Sequence, residues 1–280
     1  MDKNIHTYIS CDCDYENADI VLFGAPFDGT TSYRPGARFA SKAIRAESFG
    51  LETYSPYQDK DLTDIKVFDG GDLELPFGNT NAALAQIEKY CEKVIQDGRT
   101  PFMIGGEHLV TLSGVSAAIK KFHDISIIHF DAHTDLRDSY LGQQLSHATV
   151  IRRCHDIVGD GRIFQFGIRS GEREEFLWGE KHLFTNKFTF DGLDNIIKQL
   201  ADKPVYLTID LDVLDPAEMP AVGTPEAGGV SFNQLLNACI LCKNLNIVGV
   251  DVCELCPVYD NSGASTALAG KLIRELLLML

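Results

Sequence analysis

Short apolar runs rich in β-branched residues recur along the chain, and longer stretches with apolar residues at helical spacing separate them. Most of the short runs are apolar at both odd and even positions, which is typical of strands covered on both faces of a parallel sheet. The pattern therefore predicts strands at Asp19–Phe23, Ile65–Phe68, Pro101–Ile104, Ile125–Phe130, Ile163–Ile168, His182–Phe184, Val205–Ile209 and Asn246–Val252.

Helices are predicted between and after the strands, at Asn79–Gln96, Val110–Lys121, Phe190–Leu200, Phe232–Lys243 and Ala264–Leu280. The alternation of strand and helix predicts an α/β fold with three α/β/α layers around a central, mostly parallel, eight-stranded sheet. It also predicts a single domain over residues 1–280. We expect the apolar tail Leu276–Leu280 to pack in the core, because a terminal amphipathic helix closes many α/β domains.

The charge of the chain narrows the classes of partner. The chain has 280 residues and a formal net charge of −15, which argues against nucleic acid and anionic membranes and suits a small cationic ligand. No apolar run approaches the length of a membrane span. The first residues, Met1 to His6, lack the regions of a secretory signal, so we expect a cytoplasmic protein with no membrane partner.

Eight cysteines are present, and four of them form the pairs Cys239/Cys242 and Cys253/Cys256. The two pairs lie closer together than is usual in a zinc ribbon, and the first pair falls within a predicted helix. We therefore expect small buried side chains, and neither zinc ligands nor disulfides.

The most informative motif is the alternation of Asp131, His133 and Asp135 directly after a predicted strand. A second motif, Asp210 and Asp212, follows another predicted strand in the same way. Side chains two residues apart in an extended chain point the same way. Carboxylates that converge at strand ends repel one another unless a cation lies among them, and a divalent metal ion is the simplest such cation.

Two further residues follow predicted strands: His108, in the sequence Gly-Gly-Glu-His, and Glu254. Two histidines and four aspartates are too many ligands for one catalytic ion, and they fit two ions that share carboxylates. Oxygen-rich ligation without cysteine favours Mn²⁺, although ligand type separates Mn²⁺ poorly from Ni²⁺, Co²⁺ or Zn²⁺. Such a pair could hold a bridging hydroxide for hydrolysis, and Glu254 indicates a cationic group on the substrate.

Three of these segments resemble the ureohydrolases, the family of arginases and agmatinases. They are Gly-Gly-Glu-His at 105–108, Asp-Ala-His-Thr-Asp at 131–135 and Asp-Leu-Asp-Val-Leu-Asp-Pro at 210–216. The loop Gly24–Arg38 and the segment Gly249–Pro257 are similar to agmatinases in particular. The resemblance implies an arginase-like fold, two Mn²⁺ ions per chain and hydrolysis of a guanidinium group to urea.

The same resemblance implies a role for each candidate residue. One ion would be held by His108, Asp131, Asp135 and Asp210, and the other by Asp131, His133, Asp210 and Asp212. Asp135 would also orient the hydroxide, Glu254 would bind the substrate guanidinium, and His147 would shuttle a proton to the leaving amine. Family members are usually homo-oligomers, so the resemblance implies a trimer or hexamer.

Agmatine, hydrolysed to putrescine and urea, is the substrate that the resemblance favours. Arginases contact the α-carboxylate and α-amine of arginine through an Asn/Ser-rich segment, where this chain has Leu136 to Gly142. Arg137 would be an awkward neighbour for the ammonium group of agmatine unless Asp138 or Asp28 offsets its charge.

Several alternatives stay open. Within the family they are guanidinobutyrase and arginase activity. From other classes they are a binuclear phosphoesterase, which the absence of a basic cluster disfavours, and a non-catalytic, metal-stabilised binding protein. The binding protein would be expected to have lost ligands that this chain retains.

Overall fold

A central sheet of eight strands, all of them parallel, organises the molecule. The structure, a computed structural model, describes residues 6–280. The strands are β1 Ile20–Gly24, β2 Tyr54–Ser55, β3 Lys60–Asp61, β4 Val67–Asp72, β5 Thr100–Ile104, β6 Ser126–Phe130, β7 Ile163–Ile168, β8 Phe184–Lys187, β9 Pro204–Asp210 and β10 Asn246–Cys253. Strands β2 and β3 pair only with each other, as a small antiparallel hairpin outside the central sheet.

Helices cover both faces of the sheet. They are α1 Ala40–Ser48, α2 Thr80–Gln96, α3 Thr111–Ile119, α4 Val150–Val158, α5 Arg173–His182, α6 Leu193–Gln199, α7 Phe232–Leu241 and α8 Ala264–Met279. Helices α2, α3 and α4 pack side by side, and helices α1, α8, α7 and α6 form a second group. Each group buries its apolar side chains against the sheet in a separate core cluster. The three-layer α/β/α prediction is therefore confirmed, and the sheet is fully parallel rather than mostly so.

The strand order determines where ligands can bind. It runs β4-β1-β5-β10-β9-β6-β7-β8, so four strands from distant parts of the sequence, β5, β10, β9 and β6, are direct neighbours. Because parallel strands end at the same edge of a sheet, the segments that follow these four strands meet in one crevice.

Several predicted boundaries are wrong by a few residues, and one predicted element begins inside a helix. His182 was expected in a strand but is the last residue of α5, since its ring stacks on Trp178 one helical turn earlier at a centroid distance of 4.2 Å. Helix α6 begins only at Leu193, because Gly192 has a left-handed φ of 85°. Helices α1, α4 and α5 were not among the predicted helices.

The C-terminal tail packs in the core as expected, except for its last residue, Leu280, which is 38% exposed. Leu276, Leu277 and Leu278 are at most 1% exposed, and Met279 is 5% exposed. The four cysteines of the two pairs are buried free thiols, as predicted from their sequence context. Within residues 6–280, no helix is long and apolar enough to cross a membrane.

Candidate metal centre and active site

Four neighbouring strands deliver the candidate residues to one edge of the sheet. His108 follows β5, Asp131 follows β6, Asp210 is the last residue of β9, and Glu254 follows β10. All four side chains are buried. Residues that are far apart in the chain are therefore brought together by the strand order.

The first group of possible ligand atoms surrounds Nδ1 of His108. This nitrogen lies 3.0 Å from Asp131 Oδ2, 3.3 Å from Asp135 Oδ2 and 3.3 Å from Asp210 Oδ2. Neighbouring ligands of an octahedral ion with bonds of about 2.1 Å lie about 3 Å apart. Each of the three oxygens thus lies at the distance from Nδ1 that two ligands of one divalent ion would have.

The hydrogen bonds of His108 also favour a cation at this position. Its Nε2 lies 2.8 Å from Thr208 Oγ1, and Thr208 donates its own hydroxyl proton to Asp251 Oδ1 at 2.6 Å. Thr208 therefore accepts the Nε2 proton of His108, so the neutral ring presents a lone pair at Nδ1. That buried nitrogen has no hydrogen-bond partner among the described residues. A lone pair that faces three carboxylates is repulsive, and a cation among them removes the repulsion.

A second group adjoins the first and shares Asp131. His133 Nδ1 lies 2.9 Å from Asp212 Oδ2 and 3.5 Å from Asp131 Oδ1. Asp131 thus turns one oxygen toward His108 and the other toward His133, as a carboxylate shared by two ions does. Asp212 is fixed by the backbone N–H of Ala132 at 3.1 Å and by the hydroxyl of Thr224 at 3.2 Å.

His129 orients the carboxylate of Asp131, which the two groups share. Gln165 donates to His129 Nδ1 at 3.0 Å, so the proton of this ring is on Nε2, which lies 2.8 Å from Asp131 Oδ2. Gln165 is held in turn by the carbonyl of Thr134 at 2.7 Å. Supporting contacts of this kind restrict the orientation of a metal ligand.

The electrostatics of the cluster require positive charge. Burial, followed by repulsion from Asp131, raises the pKa of Asp135 to about 7. Burial and the neighbouring Asp212 and Asp131 raise the pKa of Asp210 well above its usual value. Burial by itself would lower the pKa of His108, but the surrounding carboxylates raise it well above its ordinary value. Without a metal ion the cluster retains protons, which a divalent cation would displace.

Two of the site residues adopt a left-handed backbone conformation, with φ of 52° at Asp135 and 69° at Glu254. Non-glycine residues rarely adopt this conformation, and it is often found at functional sites. Two hydrogen bonds hold Glu254 in place. Its Oε1 accepts from the backbone N–H of His108 at 2.9 Å, and its own backbone N–H donates to the carbonyl oxygen of Gly106 at 2.9 Å. Gly106 has no room for a side chain, since a Cβ would lie 1.8 Å from the carbonyl oxygen of Phe27.

His147 forms one wall of the cavity beside these groups. Its Nδ1 lies 3.0 Å from the carbonyl oxygen of Thr30, and its Nε2 lies 3.2 Å from Ser32 Oγ. A carbonyl only accepts, so the proton is on Nδ1 and Nε2 is available as a base. Burial lowers the pKa of His147 and raises the pKa of its buried neighbour Glu107 to about 7.

The cavity has a volume of 320 Å³, and its lining includes Arg137, Tyr140, Glu172 and Glu175 as well as the groups above. Arg137 Nη1 lies 2.9 Å from Glu172 Oε1, and its Nε lies 3.7 Å from Glu175 Oε2. Its guanidinium also stacks on Tyr140 at 4.7 Å from the ring centroid. One cation faces two carboxylates, so these three ionisable side chains carry a net negative charge.

Neither Asp138 nor Asp28, the two aspartates considered as offsets for Arg137, pairs with it. Asp138 pairs with Arg153 at 2.9 Å, and Asp28 pairs with Arg38. The carboxylates that offset Arg137 instead come from Glu172 and Glu175, after β7. The sequence analysis also missed the Thr208–Asp251 pair beneath His108, because that contact depends on the β9–β10 pairing. No local motif marks either set.

The chain is similar to known proteins over nearly its whole length. The chain matches the family model described as the arginase family over residues 18–279. It is 46% identical over 276 residues to the agmatinase of Bacillus anthracis, covering 97% of this chain and 95% of that protein. It is 34% identical to the human mitochondrial guanidino acid hydrolase, covering 94% and 78% of the two chains. A solved structure of a candidate agmatinase from Clostridium difficile superposes with a TM-score of 0.93 at 52% identity, covering 95% of this chain and 98% of that one.

Proposed function

The chain belongs to the arginase family, and we propose that it is a metal-dependent ureohydrolase that hydrolyses agmatine to putrescine and urea. The observation that carries the proposal is the cluster of two histidines and four aspartates at the ends of β5, β6 and β9, with Glu254 after β10 beside it. The similarity to agmatinases over nearly the whole chain favours agmatine among guanidino compounds.

We assign two Mn²⁺ ions to the two groups of ligand atoms. One would be held by His108, Asp131, Asp135 and Asp210, and the other by Asp131, His133, Asp210 and Asp212. Four aspartates balance the charge of two divalent ions. When bound, such ions lower the pKa of a shared water so that hydroxide is available at neutral pH.

Glu254 would orient the substrate guanidinium, and Asp135 would orient the hydroxide. Glu254 is buried beside the cluster and is free to accept hydrogen bonds from a substrate guanidinium through Oε2, since Oε1 is engaged by the His108 backbone. A charge-assisted contact of this kind holds a planar cation in one orientation. Burial raises the pKa of Glu254 well above its usual value, and a bound guanidinium would stabilise its ionised form.

His147 would transfer the proton that the departing amine requires. Its Nδ1–H is fixed by the carbonyl of Thr30, so Nε2 can accept a proton and return it within the cavity. A histidine whose tautomer and ring position are fixed in this way is suited to general acid–base work.

The far end of the substrate would meet Glu172, Glu175 and Arg137. Because Glu172 and Glu175 together outweigh Arg137, these side chains favour the ammonium group of agmatine over a carboxylate. The second candidate is a guanidino acid such as 4-guanidinobutyrate, whose carboxylate could bind Arg137. In that case the substrate carboxylate would have to compete with Glu172, whose Oε1 lies 2.9 Å from Arg137 Nη1.

We further propose that residues 1–280 form one ureohydrolase domain, because one sheet takes strands from Ile20 to Cys253. A cytoplasmic location agrees with eight free thiols. Assembly into a trimer or hexamer is proposed on the similarity to the arginase family alone.

The deciding experiment is a urea-release assay on Mn²⁺-loaded protein with agmatine, arginine, 4-guanidinobutyrate and guanidine, beside a panel of phosphoesters. We expect urea from agmatine at the highest kcat/KM, and no phosphate. If 4-guanidinobutyrate exceeds agmatine about tenfold, equivalent to about 1.4 kcal/mol in the transition state, the substrate is a guanidino acid. Absence of urea from every guanidine would rule out the ureohydrolase proposal.

A further inference from the structure

Two histidines and an aspartate form a compact cluster on the surface, outside the site described above. Asp160 Oδ1 lies 2.7 Å from His155 Nε2 and 2.7 Å from His182 Nδ1. One ligand atom from each residue lies within 4.8 Å of the others. The Asp160 side chain is 68% exposed, so the cluster is open to ions from solution.

The cluster lies where two helices end. His155 is in the last turn of α4 and His182 is in the last turn of α5. The backbone joins the two ends, because Gly159 N–H donates to the carbonyl of His155 at 2.8 Å and Gly161 N–H donates to that of His182 at 2.8 Å. The negative ends of two helix dipoles and one carboxylate therefore favour a cation at this point.

The ligand set differs in kind from that of the active site. Two imidazoles and one carboxylate, with an open position for water, are the ligands of many three-residue Zn²⁺ sites. The metals late in the divalent series bind nitrogen ligands more tightly than Mn²⁺ does. A tetrahedral ion requires ligand atoms about 3.3 Å apart, so the three atoms would have to separate by about 0.6 Å. The exposed Asp160 lies between Gly159 and Gly161, both at positive φ, and can supply that movement.

We propose that His155, Asp160 and His182 form a second, peripheral site for a nitrogen-seeking divalent cation, with Zn²⁺ as its preferred occupant. His155 would bind the ion through Nε2 and His182 through Nδ1, the two nitrogens that lie 2.7 Å from Asp160 Oδ1. The bound ion would replace the two hydrogen bonds by three metal–ligand bonds.

The ion would join two helices that reach the active-site cavity at their other ends. Helix α4 follows His147 directly, through the short 3-10 turn His147–Thr149. Helix α5 begins immediately after Glu172 and carries Glu175. A cross-link at His155, about 8 Å along α4 from Val150, would restrain the spacing of two walls of that cavity without contacting the substrate.

The single tryptophan of the chain reports directly on this site. Trp178 stacks on the His182 ring at a centroid distance of 4.2 Å and forms a T-shaped pair with the His155 ring at a centroid distance of 4.7 Å. We would titrate the full-length, Mn²⁺-loaded protein with Ni²⁺, follow quenching of tryptophan fluorescence, and then add Zn²⁺ as a competitor. Quenching at one added ion per chain, reversed by Zn²⁺, is the expected result.

Asp160→Ala is the test variant, because it removes one ligand from an exposed loop and leaves Trp178 and both rings in place. We expect its Ni²⁺ midpoint to rise about tenfold or more, while urea release from Mn²⁺-loaded protein stays unchanged. His123→Ala, which removes an exposed histidine elsewhere, should quench as the unsubstituted protein does. Equal midpoints for Asp160→Ala and the unsubstituted protein, or no quenching at millimolar Ni²⁺, would overturn the proposal, and neither outcome depends on the substrate assignment.

Discussion

Replacing Glu172 by glutamine should shift substrate preference from agmatine, which ends in an ammonium group, toward 4-guanidinobutyrate, which ends in a carboxylate. Glu172 lines the cavity and engages Arg137 at 2.9 Å. The substitution keeps the size of the side chain and removes its charge. The ammonium group of agmatine then loses an attraction, and the carboxylate of 4-guanidinobutyrate meets an Arg137 that is less strongly paired.

The size of the shift follows from the charge and its exposure. Glu172 has a side chain 58% exposed, so an effective dielectric constant of about 40 to 80 applies, and a unit charge about 5 Å away contributes about 1 kcal/mol. Agmatine should lose about 1 kcal/mol and 4-guanidinobutyrate should gain a similar amount. The ratio of their kcat/KM values should therefore change by about thirtyfold.

Glu174→Gln is the matched control. Glu174 lies in the first turn of α5, the helix that begins directly after Glu172, and carries the same charge. It does not line the cavity. We expect it to change the ratio by less than about threefold, because a screened surface charge contributes little. Equal ratios in the two variants, or a Glu172→Gln protein that prefers agmatine more strongly, would refute the role of Glu172. Glu175 is unsuitable for this test, since it also accepts from Thr134 Oγ1 at 2.6 Å.

Three other predictions concern the metal cluster and the proton transfer. Thr208→Val removes the acceptor for His108 Nε2–H and should weaken Mn²⁺ binding about 10- to 100-fold, measured as the Mn²⁺ concentration for half-maximal activity, with Thr63→Val as an exposed control. His147→Asn should lower kcat about 10²- to 10⁴-fold without changing the Mn²⁺ content; an unchanged kcat would exclude proton transfer by this residue. Mn²⁺ affinity should rise with pH through about 7, because the pKa values of Asp135 and Asp210 are raised and these carboxylates must release protons to bind metal. Calorimetry in two buffers should detect the released protons. An Mn²⁺ affinity that does not change between about pH 6 and pH 8 would contradict the assignment.

The fold and the position of the site could be predicted because they depend on local patterns. Strands apolar at both parities indicated a parallel sheet, and the motifs at Asp131 and Asp210 lie directly at strand ends. Helix α4 was missed although its sequence carries a local signal: its apolar residues at positions 150, 151, 154, 157 and 158 have helical spacing, and Val150, Ile151 and Cys154 are buried.

The contacts that tune the site could not be predicted from local sequence. Thr208 reaches both His108 and Asp251 only because β9 is the neighbour of β10, and strand order is a property of the whole sheet. Arg137 pairs with Glu172, which lies 35 residues along the chain and after a different strand, so no local pattern connects the two. His155 and His182 likewise meet at Asp160 only because the ends of α4 and α5 lie together in the fold.

Urea release measured against the number of Mn²⁺ ions bound per chain tests the central claim most directly. Metal-free protein would receive increasing Mn²⁺ in a buffer that keeps the free ion low, and bound metal and urea from agmatine would be measured on the same samples. The account predicts that urea release reaches its plateau at two ions per chain. A plateau at one ion per chain, or no urea at full loading, would contradict it.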